Sequence, residues 1–478
     1  MLNRTRTKIV CTIGPASRDE EILRALIRAG MDVARINFSH GTREEHAEEI
    51  AVIRLIAKKE TANIAIMADL QGPKLRIGVI DPDPLVLAPG DRVGLTNHPA
   101  AGKSNTIHLP HPTAITEAKP GETILFGDGE LEVVVEEKLA DALVCKVTAG
   151  GELRSHQGFH ASGLTPVLST LTQKDQEDAR SALELDVDFL ALSFVKTAED
   201  IERLRTLIKD FNPSGQPPAI VAKIETRKAL ENFDPILNAA NVIMVARGDL
   251  GIEVPVQEVP LHQKNIVRKC NHAGIPVITA TQMLQSMTEH PRPTRAEASD
   301  VANAILDGSD AVMLSAETAT GRYPVKALEM MRKIAENVEE KMPCRLDEVD
   351  FAEVPHRHPI TDAISEATRS IARDLNARLI VTSTWSGYTA RQVSRERPKQ
   401  LIVALTPSKK VCRQLALVWG VIPILVQPYQ DTEKMLQIMD EKLLSSALAS
   451  KGDLIIVTGG LPLAEGGKTN FLKVHRLA

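Results

Sequence analysis

Short apolar runs alternate with longer amphipathic stretches over the first two thirds of the chain, and nearly every apolar run ends in a polar or charged side chain. Such runs are typical of parallel strands, which helices cover on both faces. The runs occupy residues 9–13, 33–36, 64–68, 189–192, 219–222, 242–246, 277–278 and 311–314. Eight strands that each lead into a helix predict a (β/α)8 TIM barrel.

The polar residues at the strand ends are the first functional signal, because the chemistry of such barrels collects at the carboxyl ends of the strands. These residues are Thr12, Arg35, Asn37, Asp69, Ser193, Lys223, Glu225, Arg247, Asp249, Thr279, Thr281, Ser315 and Glu317. Positions i and i+2 of a strand share a face, so we expect Lys223 and Glu225 to point together into the barrel mouth. Glu225 and Asp249 follow neighbouring strands and are expected to lie close to one another.

Helix-capping residues in the sequence predict where two helices begin. Ser17 with Glu20 and Thr42 with Glu45 match the capping box, in which a hydroxyl and a carboxylate cap the first turn reciprocally. Gly30 then predicts the end of the first helix.

The barrel pattern is interrupted once, after Asp69. Between residues 73 and 168, short alternating segments are broken by glycine pairs and Pro-Gly turns, which predicts an inserted β-barrel lid domain. The catalytic barrel then comprises residues 1–72 and 169–342. Residues 343–478 begin with a Pro-containing linker and predict a C-terminal α/β domain. Its expected strands are 379–382, 401–405, 422–426, 454–457 and an edge strand at 471–477.

Composition narrows the choice of function. The chain has 478 residues, 43% of them hydrophobic, and a formal charge of −5, so it lacks the basic surplus that nucleic-acid binding needs. No apolar run approaches the roughly 20 residues that span a bilayer, and the first residues do not resemble a signal peptide, so we expect a cytoplasmic protein without a membrane partner. The five cysteines form no CxxC pair, which predicts reduced thiols and neither disulfides nor structural zinc.

The acidic pair at the strand ends predicts a metal site. Glu225 and Asp249 offer hard oxygen ligands without a nearby His or Cys cluster, which favours Mg²⁺ completed by substrate phosphates. Lys223 would then neutralise charge on a phosphoryl group during transfer. The alternative is a buried ion-pair network of these three residues with no catalytic role.

The second strand adds groups suited to ions. Arg35 is suited to bidentate phosphate contact, and Asn37, Ser39 and Asp69 offer oxygens for a monovalent cation. His40 contacts a nucleotide in one interpretation and is a solvated loop residue in the other.

Eight segments carry a family resemblance, and they occur in the family's order over essentially the whole chain. They read CTIGPAS (11–17), RINFSHG (35–41), DLQGPKLR (69–76), AKIET (222–226), MVARGDLGIE (244–253), TATQML (279–284), PRPTRAEASDVANAILDG (291–308) and MLSAETATGRYP (313–324). The sequence resembles the pyruvate kinase family. The resemblance implies phosphoryl transfer from phosphoenolpyruvate to ADP, giving pyruvate and ATP in the last step of glycolysis. It also implies Mg²⁺ or Mn²⁺ as cofactor and a homotetramer.

Roles for single residues follow from the same resemblance. The phosphate and its transition state would be bound by Arg35 and Lys223, and the metal by Glu225 and Asp249. The backbone amides of Gly248 and Asp249 would bind the substrate carboxylate, with help from Thr281, which would also assist the proton relay. The positions that contact the nucleotide would be Pro15, His40 and Arg76. The inserted domain would be a lid that excludes water.

Two departures from the family pattern carry predictions. Potassium-dependent members typically read DTKGPEIR where this chain reads DLQGPKLR, so Lys74 replaces an acid and Leu70 replaces a hydroxyl ligand. We therefore predict that Lys74 replaces K⁺ in the pocket of Asn37, Ser39, Asp69 and Leu70. The alternative is a Lys74 side chain turned to solvent.

The second departure lies in the lid. Gln157 stands where family members often carry a lysine that reaches the nucleotide phosphates. Either the hold on ADP is looser, or Arg154 substitutes for that lysine.

The tail domain contains a candidate effector loop. Hydroxyls and amides at the start of a helix form an anion pocket. The residues concerned are Thr382, Ser383, Thr384, Ser386, Gly387 and Thr389, joined in the family resemblance by a C-terminal loop with Gly466 and Gly467. The resemblance implies a phosphorylated sugar or nucleotide effector, and the alternative is a simple capped turn. The segment around Gly466 is not a Walker A motif, because position 462 is Pro and the leading Gly is missing.

Two other functions compete with phosphoryl transfer. A metal-dependent aldolase or lyase acting on pyruvate would share the barrel and the acidic pair, but would need neither the lid nor Arg35 together with Lys223. A catalytically inactive metabolite sensor would use only the tail loop, and the intact Lys223, Glu225 and Asp249 argue against it.

Overall fold

The barrel is closed by eight parallel strands, each paired with its neighbours in sequence. The computed structural model describes residues 5–73, 75–99, 105–111, 113–127, 129, 131–161, 169–213, 215–341, 358–462 and 469–477. The barrel strands are Lys8–Ile13, Val33–Asn37, Ala65–Asp69, Phe189–Leu192, Ala219–Ile224, Val242–Ala246, Val277–Ala280 and Ala311–Leu314. All eight apolar runs are thus strands, and the predicted fold class is confirmed.

Helices cover the outside of the barrel and bury the outward faces of its strands in one continuous core. Their bounds are Glu20–Ala29, Arg43–Lys59, Gln173–Glu184, Ala198–Phe211, Arg227–Glu231, Phe233–Ala239, Arg247–Glu253, Val259–Ala273, Arg295–Leu306, Ala316–Ala319 and Pro324–Lys341. The inward faces form a second cluster, in which Val10, Met67, Phe189 and Met244 fill the barrel interior. The strands are apolar throughout because both of their faces are buried.

One of the two predicted helix starts is wrong. Thr42 and Glu45 form the expected capping box. The cap of the first helix is instead Asp19, whose side chain accepts hydrogen bonds from the backbone of Glu21 and Ile22. The hydroxyl of Ser17 is used in the preceding turn, where it accepts from the Gly14 amide at 3.1 Å.

The insertion leaves the barrel at the carboxyl end of the third strand and has its own apolar core. Its strands are Leu85–Leu87, Arg92–Thr96, Thr106–His108, Thr123–Phe126, Leu131–Lys138, Ala142–Ala149, Gly151–Leu153 and Phe159–Ala161, with a short helix at Thr113–Glu117. Six of these strands form one sheet, and Leu85–Leu87 pairs with Gly151–Leu153 in a second.

The tail is a five-stranded sheet flanked by helices. Its strands are Leu379–Ser383, Leu401–Thr406, Val421–Leu425, Leu454–Gly459 and Phe471–Arg476, and its helices are Pro359–Asp374, Tyr388–Arg395, Lys409–Gln414 and Thr432–Ser445. The last strand runs antiparallel at the edge of the sheet, and the other pairings are parallel. The residue bounds assigned above to the three domains stay a prediction.

The tail closes the amino-terminal end of the barrel. Ala416 and Leu417 belong to the same buried cluster as the inward-facing barrel side chains. Beside them, Lys410 and Arg413 donate to the Asp186 carboxylate at 2.6 and 2.5 Å. No helix in the described part of the chain is long and apolar enough to cross a membrane.

Candidate active site

Lys223 lies at the centre of the barrel mouth, among oxygen atoms from three neighbouring strands. Its Nζ donates to Ser193 Oγ at 2.7 Å and lies 2.9 Å from Glu225 Oε1 and 3.2 Å from Asp69 Oδ1. Burial by itself would lower the pKa of Lys223. The carboxylates of Asp69 and Glu225 outweigh burial and raise this pKa above its ordinary value. The side chain is therefore a fixed cation, and 11% of its surface faces the mouth.

Asp69 also orients Arg35. Its Nε donates to Asp69 Oδ2 at 2.7 Å, and its Nη1 donates to Thr12 Oγ1 at 2.9 Å. Burial works against ionisation of Asp69, but Lys223 and Arg35 together lower its pKa below the ordinary value. Asp69 thus joins the two cations, which places both at one side of the mouth.

Glu225 is buried opposite a second acid, Asp249. Its Oε2 accepts from the Phe194 amide at 2.6 Å, and its Oε1 pairs with Lys223. Burial raises the pKa of Glu225 most, Lys223 opposes the rise, and Asp249 reinforces it. A cation bound between two such acids relieves their repulsion, so the donor set fits a divalent metal.

The protein alone does not complete a metal shell here. Among the described residues, no group of three or more His, Cys, Asp or Glu side chains could hold a metal ion. Glu225 and Asp249 would supply two carboxylates to such an ion, and substrate oxygens and water would supply its other ligands. The Lys223 pair with Glu225 shows that part of the ion-pair alternative is present, and it coexists with a geometry suited to metal.

The seventh strand ends in a strained turn, which contacts the end of the sixth strand. Thr281 and Gln282 have φ of 70° and 52°, in the left-handed region that side chains rarely adopt. Thr281 Oγ1 accepts from the Gly248 amide at 2.8 Å, and Arg247 donates to the Thr281 carbonyl at 2.8 Å. Arg247 is in turn paired with Asp300 at 2.8 Å. These contacts therefore hold the Thr281 hydroxyl within hydrogen-bond distance of the Gly248 amide.

The predicted monovalent-cation pocket is partly assembled. Asn37 and Asp69 are partners in the register of the second and third strands, and Asn37 Oδ1 accepts from the Ser39 amide at 3.1 Å. Both Asp69 oxygens face cations, Arg35 and Lys223. Leu70 is buried, and its side chain packs in the core between the barrel strands and the outer helices. Lys74 lies outside the described residues.

The predicted nucleotide residues stand on two sides of the mouth. Pro15 and His40 are exposed just beyond the first and second strands. Arg76 lies at the root of the insertion, where its Nη1 donates to the His156 carbonyl at 2.8 Å. Arg76 and Arg154 line one cavity there, together with Gln157. Arg154 thus lines the same cavity as Arg76, and its substitution for a lid lysine stays a prediction.

The insertion touches the barrel near the acidic pair. His160, on the last insert strand, has its Nε2 3.2 Å from Glu253 Oε1. Glu253 ends the helix that begins with Arg247 and contains Asp249. Both side chains are largely buried, so the contact excludes water on this side of the mouth.

The candidate effector residues lie on the turn between the tail strand Leu379–Ser383 and the helix Tyr388–Arg395. The hydroxyls of Ser383 and Thr389 are buried and bonded to protein, whereas the buried Thr382 Oγ1 has no hydrogen-bond partner among the described residues. Ser383 Oγ lies 2.6 Å from the Tyr429 hydroxyl, and Thr389 Oγ1 accepts from Thr469 at 2.9 Å. Ser386 is exposed. Gly466 and Gly467 lie outside the described residues, so the second loop of this pocket is undefined.

Two residues at the mouth stood at predicted strand ends without a predicted role. Ser193 accepts from Lys223 and donates to the Leu70 carbonyl at 2.7 Å, and Thr12 accepts from Arg35. Their position at strand ends was the available signal. Which of them meets a cation depends on the barrel register, which the sequence pattern does not contain.

The fold and the residues at the barrel mouth together define the class of protein. A (β/α)8 barrel that presents two cations, a buried acid between them and an acidic pair is an enzyme framework for handling a phosphorylated substrate with a divalent metal. Comparison with known proteins gives the family. The model for the pyruvate kinase barrel domain matches residues 4–328, and that for the pyruvate kinase alpha/beta domain matches residues 362–475. The chain belongs to the pyruvate kinase family.

Individual relatives agree over nearly the full length. The chain is 44% identical over 481 residues to a pyruvate kinase from Agrobacterium vitis, covering all of this chain (100%) and 98% of that protein. It is 43% identical over 474 residues to a pyruvate kinase from Geobacillus stearothermophilus, covering 99% of this chain and 80% of the relative. A solved pyruvate kinase from Cryptosporidium parvum superimposes with a TM-score of 0.93 at 36% identity, covering 99% and 96% of the two chains. The predicted phosphotransferase is confirmed, and the aldolase and sensor alternatives are set aside.

Proposed function

We propose that Lys223, Arg35 and Thr281 carry the family's reaction in this chain, the transfer of a phosphoryl group from phosphoenolpyruvate to ADP. The observation that carries this proposal is the Asp69 carboxylate, which joins Lys223 and Arg35 at 3.2 and 2.7 Å. Two oriented cations on one side of a mouth can stabilise charge on the phosphoryl oxygens without reorganising during the reaction. Both cations are largely buried, so water screens them little.

The acidic pair would hold the metal. Glu225 and Asp249 fit Mg²⁺ or Mn²⁺, and the bound ion supplies positive charge to the transferring phosphate. The Gly248 amide is occupied by Thr281 Oγ1 in this structure. We expect the substrate carboxylate to take over that amide and the Asp249 amide, which frees the Thr281 hydroxyl to assist proton transfer to the enolate.

A coupled assay for pyruvate release tests the function. Release should require phosphoenolpyruvate, ADP and a divalent metal together, and a chelator should abolish it. Pyruvate formed from another substrate, or no pyruvate at all, would contradict the proposal. Comparing Mg²⁺ with Mn²⁺ in the same assay decides which metal supports the faster rate.

Independence from potassium is part of the proposal. Leu70 is buried in the core and offers no side-chain oxygen, and both Asp69 oxygens already face cations. Lys74 follows in sequence and would supply the positive charge that K⁺ supplies elsewhere. The expected rate in sodium-only or large-cation buffer is within about tenfold of the rate in potassium buffer. A larger deficit would show that the cation pocket is functional.

The inserted domain would act as the lid over the nucleotide. Its contact through His160 and Glu253 lies beside the acidic pair, and the cavity lined by Arg76 and Arg154 adjoins its root. Closure there would direct the phosphoryl group to ADP instead of water. Pro15, His40 and Arg76 would contact ADP, and Arg154 would take the part of the missing lid lysine.

The tail loop would bind a phosphorylated sugar or nucleotide that activates the enzyme. The exposed Ser386 beside the helix that starts at Tyr388 supports this, because a helix start attracts phosphate. Ser386→Asp should lose activation while keeping basal turnover, since the added charge repels phosphate. Activation retained in this variant would place the effector elsewhere.

A homotetramer and a cytoplasmic location complete the proposal. Likeness to the family supports both. Exposed apolar side chains on the barrel surface, such as Leu261 at 69% exposure, also suit subunit contacts. Light scattering of the purified chain measures the assembly directly.

A further inference from the structure

The loop of residues 38–41 connects the second barrel strand to the helix Arg43–Lys59 at the edge of the mouth. Its side chain at the tip, His40, is exposed. Exposed loops are usually more mobile than the strands and helices that they connect. A loop that presents a binding residue in one place therefore needs support from outside itself, and this loop receives such support from two side chains without an assigned role.

His46, on the helix that follows the loop, reaches back to the loop backbone. Its Nε2 lies 2.8 Å from the His40 carbonyl oxygen. A carbonyl oxygen can only accept a hydrogen bond, so Nε2 carries the proton and donates it. The imidazole also packs against the ring of Phe38, with the ring centroids 4.1 Å apart. His46 therefore contacts the loop at its start and at its tip.

The contact between His46 and the loop is buried. His46 is 5% exposed and Phe38 is 1% exposed. Gly41 has φ of 84°, and a Cβ there would lie 3.0 Å from His46 Nε2, so glycine lets the chain pass close to the imidazole. A buried polar group is costly unless it is hydrogen-bonded, and the His40 carbonyl supplies the partner that His46 Nε2 needs. The loop and the imidazole are thus fitted to one another.

Lys174 holds the start of the same loop. It lies at the beginning of the helix Gln173–Glu184, and its Nζ donates to the Phe38 carbonyl at 2.8 Å. Its ammonium group is also paired with Asp178 at 2.5 Å. The Phe38 amide donates to the Asp69 carbonyl of the third strand at 3.0 Å. The loop backbone is therefore fixed at Phe38 by Lys174 and the third strand.

We propose that His46 is a positioning residue for nucleotide binding, which holds residues 38–41 so that His40 can contact ADP. Lys174 supports the same loop from its other end. This inference rests on the proposed contact of His40 with ADP, and it adds a buried residue that acts through the loop. Asp69 orients Arg35 through a side-chain contact that His46 does not share, so binding of phosphoenolpyruvate should not depend on His46.

Two substitutions at His46 in the full chain test the proposal. His46→Met keeps a side chain of similar size and removes the donor, whereas His46→Gln keeps an amide N–H that can reach the carbonyl. We expect His46→Met to raise the KM for ADP, and to weaken ADP binding in isothermal titration calorimetry with Mg²⁺, by about threefold to tenfold, the usual effect of one hydrogen bond. The KM for phosphoenolpyruvate and the turnover number should stay within about twofold of the original values, and His46→Gln should restore most of the ADP affinity.

His272→Met is the matched control. His272 also lies on a barrel helix and bonds a backbone carbonyl, that of Arg268, at 2.9 Å. Its helix ends there and leads into the seventh strand, so His272 lies at the amino-terminal end of the barrel, away from the mouth. His272→Met should bind ADP as the original chain does.

An unchanged KM for ADP in a folded His46→Met variant overturns the proposal, and so does a His46→Gln variant that binds ADP as weakly as His46→Met. An equal rise in the KM of both substrates would show general damage to the mouth and would also overturn it. If His46→Met does not fold, Lys174→Met decides in its place, because the Lys174 side chain is exposed and its loss leaves the core intact. That variant should also raise the KM for ADP, and an unchanged value would overturn the proposal.

His40→Ala separates this inference from the proposed function. If His40→Ala weakens ADP binding and His46→Met does not, the inference about His46 fails and the proposed contact stands. If His46→Met weakens ADP binding and His40→Ala does not, the loop contacts ADP through another residue, and the proposed contact of His40 fails.

Discussion

Lys223 is surrounded by a hydroxyl and two carboxylates that come from three different strands. This arrangement keeps a buried ammonium charged, although burial favours the neutral amine. It also fixes where the charge stands before any substrate arrives. Preorganised charge of this kind is the main means by which proteins stabilise phosphoryl transfer.

Lys223→Met should lower the turnover number by about 10² to 10³-fold, the usual cost of removing one preorganised charge donor. Methionine has a similar shape, so the barrel should stay folded. The check is steady-state turnover together with circular dichroism. Lys228→Met, at a half-exposed lysine on the next helix that pairs with Glu231, is the matched control. Equal turnover in the two variants would remove Lys223 from the mechanism.

Single residues also show what the sequence could and could not predict. Lys223, Glu225 and Asp249 were recognisable because strand ends of a barrel share one face. The hydrogen bond from Lys223 to Ser193 could not be predicted, because this bond depends on which strands are adjacent and on their register. The left-handed Thr281 gave no signal in composition or periodicity. Ser17 matches the capping-box pattern, but the pattern does not show that the preceding turn already uses its hydroxyl.

Among the elements, the strands of the insertion depart most from the barrel in sequence pattern. Alternating short segments were enough to predict β structure there, since one face of each strand packs in its own core. The order in which these strands pair could not be predicted from the sequence pattern, because strands that are neighbours in the sheet are not always neighbours in sequence. The contact between His160 and Glu253 likewise depends on how the two elements meet.

His160→Ala should loosen that contact and admit water beside the acidic pair. We expect a higher rate of phosphoenolpyruvate hydrolysis without ADP, and a lower rate of transfer to ADP. Pyruvate release measured with and without ADP separates the two rates. His98→Ala, at an exposed histidine elsewhere on the insertion, is the control. An unchanged ratio of the two rates would show that the contact plays no part in closure.

Across the whole molecule, barrel and tail are joined by ion pairs as well as by apolar packing. Asp186, at the start of the fourth barrel strand, accepts from Lys410 and Arg413 of the tail. Burial works against ionisation of Asp186, but these two hydrogen bonds lower its pKa below the ordinary value. The carboxylate is still largely exposed, so water screens much of this interaction.

Asp186→Asn should lower the melting temperature at pH 7, and the difference should disappear in acid. A carboxyl whose folded-state pKa is depressed stabilises the fold above its unfolded pKa of about 3.9. That contribution is lost as the pH falls through the lower, folded-state pKa. Thermal melts of both proteins from pH 7 down to about pH 3 measure the trend. A constant difference at every pH would assign the effect to packing, and Asp210→Asn, at an exposed surface position, is the control.

Ala416 and Leu417 of the tail lie at the amino-terminal end of the barrel, where they belong to the buried cluster of inward-facing barrel side chains. A barrel cut from its tail within residues 342–357 would therefore expose apolar side chains at its amino-terminal end and would tend to aggregate. Any exchange of the tail domain in evolution would have to preserve apolar side chains that cover this end of the barrel.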